Sequence, residues 1–171
     1  RIYIRNIEKS HFKSITSIYE DAGCEIRETH GIVVITSSGN LKAIEKVTTQ
    51  PYPGFPTDMQ AQLMASMLKA DGITIIEETV FDSRFKHVPE LQKMGANITT
   101  IGRVAVIEGV KKLYGAEVEA KDLRGGAALV IAAMGAEGTT KVNNIHHINR
   151  GYEKFVNKLQ NLGVIITETN D

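Results

Sequence analysis

Three stretches of the chain repeat one grammar: a β-like run, an amphipathic helix, a glycine, then a second β-like run. One runs from Gly72-Ile-Thr-Ile-Ile-Glu-Glu-Thr-Val through a predicted helix at 81–94 to Gly95-Ala-Asn-Ile. A later copy runs from Gly138-Thr-Thr-Lys-Val-Asn-Asn-Ile through a predicted helix at 150–162 to Gly163-Val-Ile-Ile. The earliest copy opens with Arg1-Ile-Tyr-Ile-Arg-Asn-Ile, passes through a helix near 11–22 and reaches Gly23-Cys-Glu-Ile. This copy begins where its own leading glycine should stand, so the helix upstream of it is expected to be missing. Such a repeat constrains the fold before any single element does.

End signals and periodicity support the helices. Phe85, Val88, Leu91 and Met94 recur every third residue before Gly95, and Phe155, Leu159 and Leu162 precede Gly163 in the same way. A helix at 58–70 follows Pro56-Thr57, a cap-like start. Another follows Asp122 and carries Ala, Leu and Val on all sides, as a buried helix does. Short β-like runs lie at 32–36, 73–77, 104–108 and 164–167, and the run at 96–101 leads straight into 104–108. The pattern is α/β without a dinucleotide fingerprint.

The 171 residues fit one domain or two very small ones, and 42% apolar with 23% charged residues is a globular balance. Twenty basic and twenty acidic side chains cancel. That argues against a nucleic-acid partner held by a large basic surface, while a small basic pocket stays possible. The longest nearly apolar run, 127–136, is far short of the ~20 residues that cross a bilayer, so no membrane partner is expected. No secretory leader is evident, and the single cysteine, Cys24, suits a reducing cytoplasm. Arg1 is not a start methionine, which points to a chain processed or cut from something longer.

Cations are disfavoured at a helix N-terminus, where exposed N–H groups already carry partial positive charge. Yet Arg84, Arg124 and Arg150 each fall in the first turn of a predicted helix, after Asp82-Ser83, Asp122 and Asn149. They are either surface arginines at helix starts or parts of one anion site shared with the helix N-termini. Broken local rules concentrate at functional sites, which favours the second reading.

Asp58 and Asp122 read first as helix caps, each worth roughly 0.5–2 kcal/mol. As a general base, either would be weakened by the helix N-terminus, so an orienting, hydroxyl-accepting role is the safer one for Asp58. Pro51-Tyr-Pro-Gly-Phe-Pro-Thr-Asp predicts a stiff, extended approach to that helix, either a plain connector or a support that positions Asp58. His146-His147 reads as a strand end with its rings on opposite faces, so no metal site is expected there. Gly125-Gly126 lacks the spacing of a phosphate loop, and Cys24 reads as a packed residue rather than a nucleophile.

Pro53-Gly-Phe-Pro-Thr-Asp-Met-Gln-Ala-Gln, Glu78-Thr-Val-Phe-Asp-Ser-Arg-Phe-Lys-His-Val-Pro-Glu-Leu, Asp122-Leu-Arg and Asn149-Arg-Gly-Tyr-Glu together resemble the UDP-N-acetylglucosamine enolpyruvyl transferase family. The resemblance covers essentially the whole chain. It implies one of two similar lobes, an inverse α/β barrel of βαβαββ units at about 1–50, 51–121 and 122–171, the first incomplete. The sister 5-enolpyruvylshikimate-3-phosphate synthases share that architecture but lack the proline-rich string; a non-catalytic nucleotide-sugar-binding module of the same fold is the other alternative. The resemblance further implies that Asp58 binds the 3-hydroxyl of UDP-N-acetylglucosamine and serves as the proposed base. Val80 and Phe81 would meet the nucleotide sugar, and Arg84, Arg124 and Arg150 the carboxylate and phosphate of phosphoenolpyruvate. Asp122 would assist proton handling, with no metal or other cofactor. The implied activity is a step of cytoplasmic peptidoglycan synthesis. The family's catalytic Cys or Asp loop and its Lys-Asn pair have no match here, so the chain is expected to need the missing second lobe and to be inactive alone.

Overall fold

A computed structural model describes residues 1–169. In chain order the strands are β1 (Ile2–Arg5), β2 (Glu25–Thr29), β3 (Ile32–Thr36), β4 (Lys46–Thr48), β5 (Ile73–Glu77), β6 (Asn97–Ile101), β7 (Val104–Glu108), β8 (Leu113–Tyr114), β9 (Glu117–Glu119), β10 (Ala136–Glu137) and β11 (Lys141–Asn143). The α-helices are α1 (Lys13–Asp21), α2 (Gln60–Met67), α3 (Val88–Lys93), α4 (Leu123–Met134), α5 (His146–Asn149) and α6 (Phe155–Asn161). Short 3₁₀ turns at Lys9–Phe12 and Thr57–Met59 lead into α1 and α2.

The repeat has a physical basis in three helix ends. Gly23, Gly95 and Gly163 follow α1, α3 and α6 with φ of 95°, 89° and 88°. At each, the glycine N–H bonds three residues back and the next N–H bonds five residues back: Cys24 to Tyr19, Ala96 to Leu91, Val164 to Leu159. This is one helix stop used three times, and its positive φ is what glycine supplies.

β1, β3 and β2 form an antiparallel sheet in that order. The larger sheet runs β4-β5-β7-β6, with β4 parallel to β5 and the other pairs antiparallel. β8 pairs with β10 and β9 with β11, both parallel. Inside these strands lie α2 and α4, packed on each other. Leu63, Met64, Met67, Leu129 and Ala128 are fully buried there and join Ile76, Leu91, Met94 and Ile107 in one core. Both helices are buried nearly all round, so an α/β arrangement with helices inside and strands outside follows from their composition. Gly126 lets α5 lie close against α4, since a Cβ there would come within 2.7 Å of Ile148.

Five local expectations differ from the structure. The helix predicted at 81–94 begins only at Val88, because Ser83 at φ 57° breaks the run and Pro89 fits the first helical turn. Arg84 therefore lies in the turns before α3. The helix predicted at 150–162 is split: Arg150 caps the C-terminus of α5, and Lys154 at φ 49° separates it from α6. His146 and His147 sit in α5 rather than at a strand end, with ring centroids 4.1 Å apart. The run at 164–167 finds no partner strand among the described residues, and β-propensity without a neighbour makes no ladder. The proline string also differs: Gly54 N–H bonds to the Pro51 carbonyl and Gln50 N–H to that of Phe55, so 50–55 closes into a turn, and Pro56 after it is extended.

At the end of β5 the period-two alternation puts Thr74, Ile76 and Glu78 on the inward face, and Glu78 is 1% exposed. Its carboxylate accepts from Thr49 Oγ1 (2.9 Å), Thr57 Oγ1 (2.8 Å), Val80 N (2.9 Å) and Phe81 N (3.0 Å). Burial alone pushes its pKa up, but the N–H groups of Phe81 and Val80 and the two hydroxyls outweigh that and hold it below the ordinary range. Its contribution to stability is then complete above the ordinary glutamate pKa of 4.5 and is lost as pH falls through the lower folded value. Glu78→Gln is expected to destabilise the chain by about 2 kcal/mol at neutral pH, measured by chemical denaturation, and to blunt its acid sensitivity. A change within about 0.5 kcal/mol would show that the carboxylate is not structural.

Candidate active site

Asp58 stands in the turn that enters α2, and Arg124 in the first turn of α4. Because α2 and α4 pack together, the two side chains meet: Asp58 Oδ1 accepts from Arg124 Nε at 2.5 Å, with the terminal Nη2 also at 2.5 Å. The Arg84 guanidinium reaches the same oxygen at 3.9 Å. Its Nε donates to Thr57 Oγ1 at 3.2 Å, and its Cζ lies over the Phe81 ring, 4.4 Å from the centroid. Thr57 thus links two functions, giving its proton to buried Glu78 while accepting from Arg84.

The turn carrying Arg84 is held from outside as well. Arg103 donates to the Thr79 carbonyl at 3.0 Å and pairs with Asp82 at 2.5 Å. Thr79 N bonds to Thr49 Oγ1 at 2.9 Å, and Thr79 Oγ1 to the Thr49 carbonyl. A strained Ser83 between Asp82 and Arg84 persists because these contacts over-determine it.

Asp122 caps α4: its Oδ1 accepts from the N–H groups of Arg124 (2.9 Å) and Gly125 (2.8 Å). Gly125 and Gly126 form that first turn, which explains the glycine pair without a phosphate loop. Val80 is half-buried, its N–H spent on Glu78, whereas Phe81 is half-exposed beneath Arg84. Arg150 is exposed; its backbone N–H bonds to the His146 carbonyl, but its guanidinium makes no hydrogen bond or ion pair with Asp58, Arg84 or Arg124. It does stand beside Gly151, where a Cβ would come within 2.7 Å of Leu123 between Asp122 and Arg124.

Two guanidinium groups around one carboxylate leave a net positive charge on a surface that is open at Asp58, which is 64% exposed. Asp58 Oδ2 has no partner among the described residues and is available to a hydroxyl. The combination suits a ligand with an anionic group beside a hydroxyl. Among the described residues no three His, Cys, Asp or Glu side chains are grouped so as to hold a metal ion. Cys24 is buried as a free thiol. Of the cluster, the sequence reading passed over Thr49, Thr57 and Glu78. For Glu78 a signal existed, an acid in phase with the buried face of β5.

Residues 1–159 match the family model described as EPSP synthase (3-phosphoshikimate 1-carboxyvinyltransferase). The chain is 49% identical over 158 residues to UDP-N-acetylglucosamine 1-carboxyvinyltransferase 2 of Caldanaerobacter subterraneus, covering 92% of this chain and 38% of that protein. The corresponding protein 2 of Carboxydothermus hydrogenoformans is 46% identical, with 99% and 41% covered. The chain thus spans about two fifths of the length of the curated relatives it matches. Among solved structures, the enolpyruvyl transferase NikO from Streptomyces tendae superimposes with a TM-score of 0.84 at 28% identity, over 92% of this chain and 36% of that one. EPSP synthase from Acinetobacter baumannii gives 0.72 at 18% identity, over 99% and 42%, a likeness of fold alone. The chain belongs to the EPSP synthase family of carboxyvinyltransferases, and the relatives it matches at 46–49% identity are UDP-N-acetylglucosamine 1-carboxyvinyltransferases.

Proposed function

We propose that this chain is one lobe, of units at about 1–50, 51–121 and 122–171, of an enzyme that moves the enolpyruvyl group of phosphoenolpyruvate to the 3-hydroxyl of UDP-N-acetylglucosamine. The reaction releases phosphate and opens peptidoglycan synthesis, and the single buried cysteine suits a cytoplasmic setting. The observation that carries the reading is the single Asp58 oxygen shared by guanidinium groups from two separate units. The acceptor oxygen adds to C2 of phosphoenolpyruvate as C3 takes a proton, giving a tetrahedral ketal. Loss of that C3 proton and of phosphate then leaves the enol ether. Arg84 and Arg124, with Arg150 beside Leu123, neutralise the carboxylate and phosphate through both steps. Asp58 offers Oδ2 to the acceptor hydroxyl and draws its proton. Val80 and Phe81 border the nucleotide sugar, and Asp122 handles the proton at C3. The UDP-N-acetylglucosamine acceptor is favoured over 3-phosphoshikimate because the relatives that name the sugar are the more similar in sequence.

In the intact protein, Asp58→Asn is expected to lower kcat by about 10²–10⁴-fold with little change in the KM for phosphoenolpyruvate. Phosphate release is the readout, with 3-phosphoshikimate giving no turnover in place of the sugar. Wild-type kcat in the folded variant would remove Asp58 from the chemistry. The 171-residue chain alone is expected to release no phosphate and to bind UDP-N-acetylglucosamine more weakly than about 1 μM by calorimetry, since only part of the ligand-enclosing surface is in this chain. Turnover by the isolated chain would contradict that.

A further inference from the structure

Gln62 lies in α2 four residues after Asp58, about one helical turn along, and is buried in a helix whose Leu63, Met64 and Met67 are buried as well. Its Nε2 donates to the Tyr152 hydroxyl at 2.9 Å, joining residues 90 apart in sequence. Its Oε1 is buried without a hydrogen-bond partner among the described residues. A leucine here would bury no polar atom at all, so the amide works against packing and its one bond calls for a reason.

Tyr152 stands between α5 and α6, two residues after Arg150. Its N–H bonds to the Ile148 carbonyl at 3.1 Å, its ring centroid lies 5.1 Å from that of Phe155, and it packs on the small cluster of Ala120, Val130 and Ile148. Gly151, between Tyr152 and Arg150, rests against the first residue of α4, since a Cβ there would come within 2.7 Å of the Leu123 side chain. The Arg150 N–H bonds to the His146 carbonyl at 3.3 Å. The main chain that carries Arg150 is therefore tied to α2 through Tyr152 and seated on α4 through Gly151. These are the two helices whose starts bring Asp58 and Arg124 together. The Arg150 guanidinium, by contrast, meets none of Asp58, Arg84 and Arg124.

We propose that Gln62 and Tyr152 are a positioning pair for Arg150. Their hydrogen bond fixes the segment after α5 relative to the Asp58–Arg124 pair, so that on binding an anion only the Arg150 side chain has still to be ordered. Gln62 acts through Tyr152 on the Arg150 main chain and touches no ligand itself. The proposal rests on the role given above to Arg150, against the phosphoenolpyruvate anion. A bond that only fastened the α5–α6 segment to the core would serve stability and nothing else, and experiment separates the two roles.

The test uses the intact protein, with the dissociation constant of inorganic phosphate, steady-state kinetics and chemical denaturation as readouts. Tyr152→Phe and Gln62→Leu should each raise the phosphate dissociation constant and the KM for phosphoenolpyruvate about threefold or more, while the KM for the nucleotide sugar stays within about twofold. The double variant removes both partners and leaves no orphan, so its denaturation midpoint should return to the wild-type value while phosphate binding stays as weak as in the single variants. Phosphate binding that recovered together with stability would reveal a plain staple and overturn the proposal. Arg150→Ala should weaken phosphate by itself, and adding Tyr152→Phe to it should cost less than about 1.5-fold more. A further threefold loss on that background would also overturn the proposal, because the pair would then act elsewhere than through Arg150. If Arg150→Ala leaves phosphate binding unchanged, the role of Arg150 falls and the pair with it. If Arg150→Ala weakens phosphate and the folded variants of the pair do not, the pair alone falls.

Discussion

The packing of α2 against α4 is the constraint from which the site follows. Both helices are buried nearly all round, so their ends cannot splay without opening the core. That packing brings Asp58 and Arg124, 66 residues apart in sequence, to 2.5 Å. An exposed ion pair contributes little to stability by itself, roughly 0–1 kcal/mol. Here the core fixes the geometry, and the pair reports where the two helix starts converge.

Glu78 carries the same logic into the loop beside them. Its carboxylate accepts from four donors, two N–H groups of the turn after β5 and the hydroxyls of Thr49 and Thr57. Thr57 then passes the constraint to Arg84, which would otherwise be a long, mobile side chain on a turn. The arginine is therefore oriented before any ligand arrives, which reduces the ordering cost that binding must overcome.

The repeat, the glycine helix stops and the buried character of α4 were legible in the sequence because each depends on local periodicity or on a backbone conformation that glycine adopts readily. Strands β3, β5 and β7 were legible for the same reason. The ends of α3 and α6 were not, since Ser83 and Lys154 take positive φ that their residue types do not announce. The run at 164–167 has β-type residues but lacks a neighbouring strand, a property of the fold rather than of the segment. At the site, Asp122 as a cap and Arg124 at a helix start followed from local rules. Arg84 meets Asp58 from a turn rather than a helix start, through Thr57 and Phe81, which only tertiary structure brings close.

A double-mutant cycle between Arg84 and Arg124 in the intact protein, read as the dissociation constant of inorganic phosphate, tests most directly whether the two guanidinium groups serve a single anion. Removing either to Ala should weaken phosphate, and removing both should depart from the sum of the single losses by about 0.5–3 kcal/mol, as groups sharing one ligand do. Losses that add to within about 0.3 kcal/mol would mean that the two arginines act on separate partners, and the shared anion site would fall.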